Sequence, residues 1–188
     1  MSVAVHFSFG EYMQMIGDNA FAALGERRIE LIHGELREMT PPGPDHSGAI
    51  DWVNEWSVLS PPRGQVTVRV QNPIAIPPLD SAPQPDVVWA KRREYRDRFP
   101  LPNEVLLCIE VALTSLDYDC GEKANLYATA GIQDYWVVDL GARAIHVFRQ
   151  PSREGYLERR VMQFGDELRP LACPQVVLRL AELFTDSR

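Results

Sequence analysis

The sequence predicts an α/β (α+β) domain with a central mixed β-sheet flanked by helices. Three observations carry that expectation. VLLCIEVAL (105–113) is a near-continuous apolar run of strand length, as expected for a central strand covered on both faces. Residues 119–130 directly after it read as a helix. Further strand-like runs then recur at 134–139, 144–149 and 156–163.

The remaining elements follow in order. Ser8-Phe9-Gly10-Glu11 has the S-x-x-E form of a capping box and opens a short amphipathic helix through about Ile16. RIELIHGELREM (28–39) alternates apolar and polar residues about His33-Gly34, the pattern of a hairpin. Ile50, Val53, Trp56 or Ser57 and Leu59 are helically spaced within 46–59, and Ser60-Pro61-Pro62 closes that helix. Prolines crowd the stretch 41–102, yet apolar runs persist between them, so it reads as strands (65–71, 74–76, 86–90) joined by stiff loops. A short strand and helical turn (176–184) end the pattern.

At 188 residues, 1–188 suits a single domain able to bury a real core, and 45% hydrophobic with 24% charged residues is an ordinary globular composition. No apolar run is long enough for a membrane span. MSVAVHFSFGEY lacks the basic start and long apolar stretch of a signal peptide, so the expected location is cytoplasmic. Cys108, Cys120 and Cys173 form no CxxC pair and read as reduced, structural thiols. His6, His33, His46 and His146 never fall at HxxxH spacing, which argues against zinc. The net charge of −7 repels phosphate over the molecule as a whole, arguing against non-specific coating of nucleic acid. An enzyme that binds DNA through one local basic patch and a metal remains compatible with it.

Glu110 is the anomaly. It stands inside VLLCIEVAL, where an unneutralised carboxylate costs several kcal/mol. It must be protonated, bound to metal, or paired with a neighbouring Arg or Lys. Asp86, in Pro85-Asp86-Val87-Val88-Trp89, places a second acid at the start of another apolar strand; its alternative role is to bond its own loop. Two acids entering adjacent strands from one end can meet at one point, and such hard oxygen ligands suit magnesium or manganese. Alternation puts Leu106, Cys108, Glu110 and Ala112 on one face. On the following helix Asp119, Lys123 and Tyr127 stack at i, i+4, i+8, either as a solvated pair or aimed at those carboxylates.

KRREYRDR (91–98) carries five basic residues against two acids in the connection between the Asp86 and Glu110 strands. It reads as a self-paired surface segment or as a contact for DNA backbone near the site. Tyr127, Tyr135 and Trp136 read as core rather than as a base-stacking platform.

PDVVW, CIEVALTSLDYDCGEKANLYATAGIQDYWVVDL, RIELIHGEL and PPGPDH together resemble the Uma-type restriction endonuclease family, formerly a domain of unknown function, of the PD-(D/E)XK nuclease superfamily. The resemblance runs from about Glu26 to Phe184. It implies a restriction-endonuclease-like fold, here with an N-terminal hairpin extension. The superfamily's lysine normally stands two residues after the second acid; here that position is Ala112, and Lys123 corresponds to a lysine migrated onto the helix.

The resemblance also implies metal binding by Asp86, Glu110 and the Val111 carbonyl, with Mg2+ (or Mn2+) as cofactor. Glu30 matches a supporting acid, His46 a histidine after the proline-rich turn, and Asp119 a helix-start acid. Departures are His33, where aspartate is usual, and the additional Asp117. The implied function is hydrolysis of DNA phosphodiester bonds by a homodimer. Its alternatives are RNA or another phosphoester as substrate, or a non-catalytic interaction or oligomerisation module that kept the fold.

Overall fold

Ser8 caps the first helix, α1 (Phe9–Gly17), in this computed structural model, which describes residues 4–25, 27–41 and 43–185. Glu26, where the resemblance begins, and Pro42 of PPGPDH lie outside the described residues. The Ser8 hydroxyl accepts from the Glu11 N–H while the Glu11 carboxylate accepts from the Ser8 N–H, the reciprocal box that the sequence predicts.

β1 (Arg28–Ile32) and β2 (Glu35–Met39) pair antiparallel, Ile32 opposite Glu35. His33 and Gly34 between them hold φ of 49° and 80°, the two left-handed positions that a tight hairpin turn demands. α2 (Pro44–Leu59) starts two residues before the expected 46, because Pro44 occupies the first turn, where its missing N–H costs nothing.

Next come β3 (Val66–Val70), β4 (Val87–Lys91) and β5 (Val105–Ala112). The helical segment after β5 is α3 (Leu116–Tyr118), a π turn (Asp119–Lys123) and α4 (Ala124–Ala130). β6 (Asp134–Asp139), β7 (Ala144–Ser152), β8 (Gly155–Met162), β9 (Glu167–Leu168), β10 (Leu178–Arg179) and α5 (Leu180–Leu183) complete the chain.

The main sheet has the order β3-β4-β5-β6-β7-β8, with β5 and β6 parallel and the other neighbours antiparallel. β5 is covered on both faces, as its uninterrupted apolar sequence requires. Leu107, Ile109 and Val111 pack toward Ile50, Val53 and Trp56 of α2. Cys108 and Ala112 point the other way, into a cluster with Ala124, Tyr127 and Ala128 of α4. The functional consequence is placement. α2 and α4 sandwich the strand that carries Glu110, and each helix starts at the end of the sheet where that residue lies.

Three expectations need correction. Residues 74–76 are not a strand. Ile74 and Ala75 donate to loop carbonyls of Pro83 and Pro100, and Ile76 makes only an isolated bridge to Ser81. Pro73, Pro77 and Pro78 deprive the segment of donors that a ladder would need. The helix expected at 119–130 begins at Leu116 and contains the π turn. The first of two short strands in the C-terminal part, β9, lies outside the expected 176–184 element and pairs with β10.

Candidate active site

Asp86 and Glu110 meet because β4 runs antiparallel to β5. Val87 is opposite Ile109, so the residue before Val87 sits beside the residue after Ile109. The acids therefore approach from the start of one strand and near the end of the other, not from two strands entered at the same end.

Asp86 Oδ2 accepts from the Val111 N–H at 2.8 Å and Oδ1 from the Gln71 amide at 3.3 Å. The Asp86 N–H donates to Glu110 Oε2 at 3.3 Å. Glu110 Oε1 accepts from Lys123 Nζ at 3.0 Å and from the Tyr127 hydroxyl at 2.8 Å. Asp86, Glu110, Lys123 and Tyr127 are all buried.

Lys123 is the hub. Its Nζ also lies 3.8 Å from Asp119 Oδ1 and 3.9 Å from Glu30 Oε2, and it sits over the Tyr118 ring at 5.6 Å. The π turn helps to aim it: the Ala124 N–H reaches back five residues to the Asp119 carbonyl, widening the helix where Asp119 and Lys123 project inward. Ser115 donates to Asp119 Oδ2 at 2.6 Å, and the Gln84 N–H donates to Glu30 Oε2 at 3.2 Å. From the opposite face, the first turn of α2 delivers His46, whose Nε2 lies 2.7 Å from the Val111 carbonyl and 3.6 Å from Asp86 Oδ2.

All the sequence-derived candidates thus line one cleft of about 340 Å³: Glu30, His46, Asp86, Glu110, Val111, Asp119 and Lys123. Arg28, Arg37, Met39 and Leu113 form part of its walls.

The electrostatics follow from four carboxylates sharing one buried ammonium. Burial would depress Lys123, but Glu110, Glu30 and Asp119 outweigh it, and the ammonium stays charged above its ordinary range. Burial pushes Glu110 up to about 8 against the pull of Lys123, with Asp86, Asp119 and Glu30 adding to the rise. Burial likewise raises Asp119. Asp86 moves the other way: its burial is overcome by His46 and by the Val111 N–H. The Asp86 carboxylate 3.6 Å away raises His46 despite partial burial.

This donor set fits a divalent metal. Two carboxylates and a main-chain carbonyl are hard oxygen ligands, and the site holds more negative charge than Lys123 can balance. His46 Nδ1 is buried without a hydrogen-bond partner, so the histidine on the Val111 carbonyl is not locked in place from behind. Among the described residues no three His, Cys, Asp or Glu side chains form a ready metal cage. An ion held by two carboxylates and a carbonyl would keep several waters, as magnesium does.

Tyr118 escaped the sequence, and the role of Tyr127 was only partly visible in it. Tyr127 is fully buried core, as expected, but its hydroxyl also serves Glu110; its i+4 spacing from Lys123 was the available signal. Tyr118 faces Lys123 and Glu30. The basic segment 91–98 is not brought to the site. It leaves the far end of β4, five residues and therefore about 17 Å from Asp86. The other aromatic expectations agree with the structure, since Tyr135 and Trp136 are fully buried. Cys108, Cys120 and Cys173 are free thiols. No helix among the described residues is long and apolar enough to cross a membrane.

The family model described as "Uma2: Putative restriction endonuclease" matches residues 10–181. A crystal structure described as a putative nuclease belonging to DUF820 from Anabaena variabilis ATCC 29413 is similar in fold. It has a TM-score of 0.74 and 16% sequence identity, and the match covers 95% of this chain and 97% of that one. No curated protein matches.

Proposed function

From the premise that this chain belongs to the Uma2 family of putative restriction endonucleases, we propose that it is a magnesium- or manganese-dependent endonuclease that hydrolyses phosphodiester bonds of DNA. The observation that carries this reading is the buried Lys123 ammonium, 3.0 Å from Glu110, beside Asp86 on the wall of an open cleft. Packing alone gives no reason to bury a lysine and four acids together.

Asp86, Glu110 and the Val111 carbonyl would hold the ion, which when bound would polarise the phosphoryl oxygen and acidify water. Lys123, kept charged by its neighbours, orients the attacking water and stabilises the negative charge that develops on phosphorus-bound oxygen. Tyr127 fixes the Glu110 carboxylate through its hydroxyl, and Asp119 and Glu30 fix the lysine. His46 at the cleft wall is placed to contact phosphate once it leaves the Val111 carbonyl. A homodimer belongs to the same reading, because cutting both strands of a duplex calls for two such sites.

Incubation of supercoiled plasmid with protein and magnesium or manganese tests the assignment, with Glu110→Ala and Lys123→Ala compared against wild type. Nicking by wild type alone is expected; equal activity in all three would refute it. RNA in a parallel reaction decides between the nucleic acids, and sedimentation of the metal-free protein gives the oligomeric state.

A further inference from the structure

Three guanidinium groups surround a single aromatic ring at the β3 edge of the sheet, one from β3 itself and two from the segment after β4. Arg69, Arg93 and Arg98 lie 5.4, 5.3 and 5.8 Å from the centroid of Tyr95. Glu104 balances only part of this charge, pairing with Arg98 at 2.7 Å and with Arg93 at 3.5 Å. Arg69 has no carboxylate partner among the described residues. Apart from the Tyr95 ring, the one polar contact of its head group among the described residues is donation to the Asn72 amide oxygen at 3.3 Å, and its Nε is buried without a hydrogen-bond partner. Burial accordingly lowers Arg69 from its ordinary value, with Tyr95 alone opposing.

The surroundings add to the positive charge. Lys91 and Arg92 are exposed and make no ion pair among the described residues. Arg92 and Arg63 also line an adjoining recess of about 270 Å³, in which the fully buried Ser57 hydroxyl has no partner. The residues 91–98 with Arg63, Arg69 and Glu104 comprise seven basic side chains against three acidic ones, on a chain whose net charge is −7. A like-charge cluster of this kind, with unused donors, lacks an anion.

We propose that this lobe is a second nucleic-acid contact, binding backbone phosphates along the β3 edge of the sheet, outside the cleft. Phosphodiester oxygens match the planar guanidinium forks presented around Tyr95. Lys91, at the distal end of the lobe, lies five residues and about 17 Å along β4 from Asp86, which is about five base pairs of duplex at about 3.4 Å of rise each. The lobe therefore acts on long substrates and is silent on very short ones. The choice of nucleic acid rests on the nuclease reading, but binding can be measured without cleavage.

The test is fluorescence anisotropy of a labelled duplex of about 20 base pairs, DNA and RNA in separate arms, with full-length protein in EDTA across a salt series. Arg69→Gln/Arg93→Gln is expected to weaken binding about tenfold or more at low salt, and to reduce the slope of log K against log salt by about 2. The exposed pair Lys91→Gln/Arg92→Gln, which cannot disturb the fold through Tyr95, should act in the same direction. Hydrolysis of bis(p-nitrophenyl) phosphate, a phosphodiester too small to reach the lobe, should not change in either variant. Unchanged duplex affinity in both variants, absence of duplex binding by wild type, or preferential loss of polyglutamate binding would each overturn the proposal. Failure of plasmid cleavage with an intact lobe effect would overturn only the nuclease reading.

Discussion

Replacing Lys123 with methionine keeps the length of the side chain and removes the one cation among the described residues that lies within 4 Å of Glu110, Glu30 and Asp119. Breaking a buried pair by deleting one partner costs about 3–5 kcal/mol, because the remaining charge is left uncompensated. For a chain of this size each kcal/mol is about 2–4 °C in Tm, so the expected fall is about 6–20 °C. The pH dependence is diagnostic. Glu110 in the folded protein is raised to about 8 from an ordinary 4.5, so the folded state holds a proton that the unfolded state has released. Stability from this group therefore falls as pH rises from about 4.5 to about 8. Without Lys123, only the Tyr127, Asp86 N–H and Ser115 donors still favour the charged carboxylates, so Asp119 joins Glu110 in holding a proton and that fall steepens. Lys123 itself stays charged in both states below about 10.5 and does not titrate in this window. Differential scanning calorimetry of metal-free wild type and Lys123→Met, at about pH 5 and about pH 8.5, should thus show a small gap at the lower pH and a large one at the higher. An equal Tm loss at both values would refute the electrostatic account and reduce Lys123 to packing.

Three further perturbations probe other parts of the argument. Tyr127→Phe removes the 2.8 Å donor to Glu110 from a fully buried site and should cost about 1–3 kcal/mol in urea unfolding, together with reduced plasmid nicking. Gly34→Ala must hold φ near 80° and would place its Cβ 3.1 Å from the His6 ring; a loss of about 1–2 kcal/mol in the urea midpoint is expected. Glu104 is lowered to about 2, chiefly by its bonds to Arg98, so its stabilisation is full above about 4.5 and is lost as pH falls toward 2. Acid titration followed by circular dichroism should show wild type losing about 1 kcal/mol that Glu104→Gln does not lose, a figure kept low because Arg98 and Arg93 are a third or more exposed.

Much of the molecule was legible along the chain because local chemistry decides it. The Ser8–Glu11 box, the His33-Gly34 turn and the unbroken apolar run of β5 each depend on neighbours a few residues away, and each appears as expected. Glu110 also announced itself, since a carboxylate inside such a run demands a partner. Alternation correctly placed it on the face with Cys108 and Ala112, toward the helix that carries Lys123. The partner's identity, however, was open between an ordinary cation and a metal on the residues alone.

Tertiary structure decided what long-range pairing controls. The antiparallel register of β4 on β5 brings Asp86 to Glu110, and the same register sends residues 91–98 away from that end of the sheet, so one pairing made the site and kept from it the segment read as self-paired or as a DNA contact. The π turn, the approach of His46 from α2 and the clustering of Arg69 with a segment more than 20 residues away have no local signature. The sequence by itself determined which elements form and which residue types must be neutralised. Only the packed sheet determined which charges face one another, because strand register is set by the summed burial of every side chain on both faces and by no single motif.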